Sequence, residues 1–188
     1  ENIMSRKTAL LLSIVLFFGA AVAVMAQVDD TDAHDVTIDF NAIALLRLQD
    51  ASTLTLNVQE PATEGAVPIG DTDSVLLQYT ALIAVAETAK VTVQETSANA
   101  IDGSGITLNA VVSGIAAGGA GTKGTPTAGG NIQDAVAVDL ISGIDSCYTG
   151  AGATDGATVD YTLTVSDPTS FNSDSDVTYT ITYTLVVT

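Results

Sequence analysis

The segment DVTYTITYTLVV, residues 176–187, alternates apolar and polar side chains almost without interruption. Val177, Tyr179, Ile181, Tyr183, Leu185 and Val187 fall on one face; Thr178, Thr180, Thr182 and Thr184 fall on the other. A period of two fits an extended strand with one face toward a core, and β-branched residues suit a pleated surface better than a helix. The pattern recurs along the chain. Strands are expected at residues 36–48, 52–58 and 74–85, at two places between 89 and 112, and at 132–144, 158–166 and 176–187. The fold class that follows is all-β: a single antiparallel β-sandwich, Ig-like or pilin-like, of about eight strands. The stretch ALIAVAETAK, residues 81–90, is the best helix candidate after residue 26, but it is short and has β-branched neighbours, so strand is the better reading.

The breaks in the pattern carry information too. After Phe40 the phase of the first strand becomes ambiguous, which a bulge or bend would explain. Asp102-Gly103 marks a tight turn. Residues 113–131 are dense in glycine, whose backbone has much entropy to lose, and a mobile loop is expected there.

Residues 1–26 read as a cleaved signal peptide. Met4 is the expected start, Arg6 and Lys7 form a positive region, and Thr8 to Val24 carry no charge. Val24 and Ala26 place small residues at the −3 and −1 positions, so cleavage is expected after Ala26 and the domain spans 27–188. This predicts an exported protein, extracellular, at the cell surface or periplasmic, with no stable membrane insertion after cleavage. The remaining 162 residues (188 less 26) suffice for one core.

The whole chain carries a formal charge of −17. Beyond residue 26 only Arg47, Lys90 and Lys123 are basic, and three scattered cations cannot build the positive patch that nucleic acid or an anionic membrane needs. Cys147 is the single cysteine, so no intrachain disulfide is possible; it reads as a small buried apolar side chain, with an inter-chain bridge as the alternative.

Motifs for chemistry are weak. Gly119, Gly121 and Gly124 match G-x-G-x-x-G, but Pro126 and the glycines after it block the helix that a dinucleotide site requires. His34 is the single histidine and has no evident nucleophile or ligand set. Three acidic groups, Asp29/Asp30/Asp32/Asp35, Asp71/Asp73 and Asp167/Asp174/Asp176, could offer oxygens to calcium, yet none follows the spacing of a dedicated calcium loop. Glycoside hydrolysis would need two facing acids and an aromatic platform. Tryptophan is absent, Tyr79, Tyr161, Tyr179 and Tyr183 sit at core-facing strand positions, and only Tyr148 and Phe171 fall in expected loops. The sequence therefore predicts no catalytic, cofactor-binding or metal residues, with calcium the one cofactor left open.

VTIDFNAIALLRL, ISGIDSCYTGAGATDGATVDYTLTV and VTYTITYTLVV, in that order, resemble segments of a group of small uncharacterised exported proteins of Bacteroidota. The resemblance implies a surface or periplasmic β-sandwich and assigns no activity. The expected function is structural and non-catalytic: a secreted or cell-surface subunit of a filament or matrix, with itself or other surface proteins as partners. Two arrangements of the ends fit. Residues 176–188 could pair inside their own sandwich beside the first strand, or the first strand could leave to complete a neighbour's sheet. The alternative function is an adhesin or ligand-binding module using the loops at 114–131 and 148–155.

Overall fold

The computed structural model describes residues 35–49, 53–98, 100–170 and 176–188. The chain divides into two units, Glu1–Asp39 and Phe40–Thr188. Of the first, only residues 35–39 are described, and they are exposed and without regular structure; the expected signal peptide, His34, Asp29, Asp30 and Asp32 lie outside the described residues.

All nine described strands lie in the second unit: β1 Ile43–Gln49, β2 Thr72–Leu82, β3 Ala89–Glu95, β4 Ile106–Ile115, β5 Ala120–Pro126, β6 Gly130–Asn131, β7 Val138–Tyr148, β8 Ala157–Val165 and β9 Ile181–Val187. One 3-10 turn, Pro168–Ser170, interrupts the strands. Every named ladder is antiparallel, and the strands form one continuous sheet.

The sheet doubles over at β2. Along Thr72–Leu77, β2 pairs with β8, and at Thr80 and Ala81 it passes to Tyr148 and Cys147 of β7. One layer is thus β6-β4-β8-β2-β1 and the other β5-β7-β3-β9. Strict alternation fills the space between them. Ala157, Val159, Tyr161, Leu163 and Val165 of β8 are all buried, as are Ala89, Val91, Val93 and Glu95 of β3. In β7 both Leu140 and Ile141 are buried, because a register shift opposite Val91 places two successive residues against the core. The hydroxyls of Tyr161 and Tyr183 hydrogen-bond across the layers.

Four expectations need correction. Residues 36–42 are not strand: the first ladder begins at Ile43, where Leu82 offers a partner. Residues 53–58 form no ladder, although Leu54 and Leu56 still pack on the core. The glycine-dense stretch is not a loop, since β5 and β6 lie inside it and β5 pairs with β7 from Ala120 to Pro126. Finally, the last strand starts at Ile181; it does pair inside its own sheet, but with β3, and lies near β1 without sharing a ladder with it. The ALIAVAETAK stretch is the end of β2, a turn with Ala86 at φ 77°, and the start of β3.

The core tyrosines yield a measurable expectation. Burial raises the phenol of Tyr79, and burial together with the neighbouring Tyr161 raises that of Tyr183; Tyr161 is likewise raised by burial. A raised folded pKa means the stabilisation is complete below about pH 10, the ordinary phenol value, and is lost as the pH climbs past it. In an alkaline titration followed by phenolate absorbance, these three rings should ionise only as the fold opens. Reversible ionisation of all five tyrosines near pH 10 with an unchanged circular dichroism spectrum would contradict it.

Candidate functional site

The carboxylates singled out by sequence are committed to their own loops. Asp71 accepts the N–H of Thr72 at 2.9 Å and of Asn57 at 3.2 Å, and these bonds hold its carboxyl below the usual range. Asp167 caps the 3-10 turn: it accepts the Thr169 hydroxyl at 2.7 Å, the Thr169 N–H at 2.9 Å and the Ser170 hydroxyl at 3.1 Å, with its pKa lowered in consequence. Asp73 accepts the N–H of Ser74. Asp35 and Asp176 are exposed, while Asp174 lies outside the described residues. Among the described residues no three His, Cys, Asp or Glu side chains gather as a metal site. These acids accept nearby backbone N–H groups, two of them at the start of β2, as short acidic side chains commonly do beside turns.

The basic residues are engaged as well. Lys90 pairs with Asp139 at 2.9 Å on the surface, where such a pair adds little stability. Arg47 Nη2 donates to Gln78 Oε1 at 2.5 Å. Lys123 Nζ donates to the carbonyls of Ala116 and Gly118, bracing the turn before β5, and its own carbonyl accepts the Tyr79 hydroxyl. This second set of bonds explains why the glycine-dense stretch is ordered.

Clefts open on the surface of the described residues. One of about 230 Å³ is lined by Ile101, Asp102, Asn131 and Gln133 among others; a wider one, about 610 Å³, runs past Thr53–Thr55, Asp73–Leu76 and Ala153–Thr154. Each wall offers one titratable side chain, Asp102 or Asp73, where acid–base hydrolysis of a glycoside requires two. Gly119, Gly121 and Gly124 lie on or beside β5, an extended strand, so no helix N-terminus faces them.

Cys147 and Tyr148 belong to β7 and not to a loop, because β2 and β5 both extend far enough to pair them. Cys147 is buried and its thiol is pushed up by that burial, which makes it a poor inter-chain partner. Tyr148 is 52% exposed; Phe171 lies outside the described residues.

The two expected binding loops do meet. Gly118, Gly150 and Gly152 all close on the Asp155 carboxylate, which accepts the Gly152 N–H at 2.9 Å, and Ala116 N–H donates to the Gly156 carbonyl. Gln78, buried between β1 and this turn, donates to the carbonyls of Gly152 and Asp155 and to Gln49. Sequence reasoning missed Gln78: a glutamine at an outward position of a central strand signals an unusual covering.

The chain matches no protein-family model, no curated protein and no solved structure.

What remains unsatisfied lies at the edges. Among the described residues β9 pairs only with β3, and β1 only with β2. Neither strand contains proline or lysine, the residues that commonly blunt an edge. Ahead of β1, Val36, Ile38 and Phe40 are 70%, 69% and 77% exposed, and Leu45 within it is 63% exposed.

Proposed function

We propose that this is a non-catalytic exported structural protein, a subunit that builds a filament or matrix by adding strands between chains. The observation that carries this reading is the row of exposed Val36, Ile38 and Phe40 leading into an edge strand that holds no proline or lysine. Fully burying such a side chain stabilises by about 1.5–3 kcal/mol, so covering three that are mostly exposed is worth roughly 3–6 kcal/mol. Edge hydrogen bonds add about 1 kcal/mol each. Ordering the segment costs about 1–2 kcal/mol per residue, so the terms nearly cancel and assembly depends on concentration. A charge of −17 opposes association at low salt, and screening favours it.

Light scattering and electron microscopy of the exported protein should therefore show oligomers that grow with concentration and with added salt. Phe40→Asp should abolish them without changing the melting temperature, because Phe40 makes no part of the core. A monomer at every concentration and salt level overturns the reading.

A ligand-binding module is the second reading, favoured by the joining of residues 116–118 with 150–155 around Asp155. Replacing the glycine-dense stretch by a short turn would remove β5 and so test folding, not binding. Tyr148→Ala is the cleaner test, since that ring is exposed at the strand end.

A further inference from the structure

We propose that residues 36–40 of one chain dock as an added strand on the free edge of β9 in a second copy. The proposal rests on the assembly reading above and names its donor and acceptor.

The acceptor is set by where the core is thin. At its centre Val91, Val93 and Val159 are fully buried. Along the β9 side, Ile181, Tyr183 and Leu185 pack on the core yet stay only half-buried, and so do Leu46 and Leu48 of β1. β1 and β9 approach within 8 Å Cα to Cα but share no ladder. An apolar seam between two edges, each with an unpaired side among the described residues, is what one more strand would cover.

The other edges fit less well. β5 carries glycine, threonine, Lys123 and Pro126, which offer an incoming strand little apolar surface and interrupt its hydrogen bonding. β6 is two residues long, and Arg47 sits in β1.

The donor has matching periodicity. Val36, Ile38 and Phe40 alternate with Thr37 and Asp39, so an added strand would turn three apolar side chains to the seam and two polar ones to water. In its own chain this segment has no regular structure and is exposed throughout. Donor and acceptor lie at different places on the chain, so a one-way contact is heterologous and repeats into a ring or an open filament, while two chains exchanging their segments would close a pair.

Disulfide trapping tests the assignment. In a Cys147→Ala background, one tagged version of the full chain carries Asp39→Cys and a second carries Thr184→Cys, both at positions facing away from the seam. Thr122→Cys on β5 serves as the control acceptor. On co-expression, a non-reducing gel should show a strong cross-linked dimer through Asp39→Cys and Thr184→Cys, and almost none through Thr122→Cys. Oligomers by light scattering with cross-links at Thr122→Cys, or with none at Thr184→Cys, would overturn the β9 assignment while leaving the assembly reading intact. Absence of both oligomers and cross-links overturns both.

Discussion

Gly121→Val should destabilise the fold by roughly 3–5 kcal/mol, seen as a lower urea midpoint with partial loss of strand signal. Gly121 has φ +82°, a region that a β-branched residue rarely enters. An added Cβ would stand 2.2 Å from the carbonyl oxygen of Ser146 and 2.8 Å from Cys147 Cα, both on β7. Backbone atoms inside a ladder cannot step aside, so β5 must move off β7, and the pairing from Ala120↔Tyr148 to Pro126↔Ile141 goes with it. The bond from the Tyr79 hydroxyl to the Lys123 carbonyl is lost in the same movement. Gly65 supplies the control, with φ +81° and nothing within 4 Å of the place a Cβ would take. Gly65→Val carries the backbone strain alone, about 1–2 kcal/mol. Equal losses at the two positions would mean that β5 is not held against β7 by close approach.

Glu95→Ala should destabilise by roughly 2–4 kcal/mol. Glu95 is fully buried at the end of β3, and its carboxylate accepts the N–H of Ser97 at 3.1 Å, the N–H of Ile101 at 3.0 Å and the Ser97 hydroxyl. No ladder reaches the described residues between 97 and 101, so this side chain stands in for one. Alanine leaves a buried N–H at Ile101, itself 2% exposed, and a void beside it. Glu95→Gln keeps one oxygen and the volume but turns an NH2 toward a donor, so its loss should be intermediate. Thermal melts of the three proteins give the order; a glutamine variant as stable as the parent would show that one acceptor oxygen suffices.

Both residues show how far local pattern reaches. Strand periodicity in the sequence places β2, β3, β4, β8 and β9 on the expected segments, and the alternation it rests on reappears as burial from Ala157 to Val165. Glu95 sits at an inward position of β3, following Val91 and Val93, where alternation alone would predict an apolar residue. Its partners come from a loop whose path no periodicity encodes.

The alternating segments 36–40 and 54–58 mark the same boundary. Leu54 and Leu56 are half-buried and Val36, Ile38 and Phe40 exposed, yet neither stretch joins a ladder. Alternation is a property of side chains along one strand; a ladder also requires a vacant edge at the right distance, and edges are made by other parts of the chain.

By itself, the sequence determined that this protein is all-β and antiparallel, that its strand residues alternate, and that its net charge is strongly negative, because each of these follows from neighbours one or two residues apart or from composition. Tertiary structure alone decided that β2 serves both layers, that β9 pairs with β3, and that the glycine-dense stretch is a strand. In that stretch, contacts from Tyr79, Lys123 and β7 outweigh a local preference for disorder, and such contacts join residues far apart in the chain.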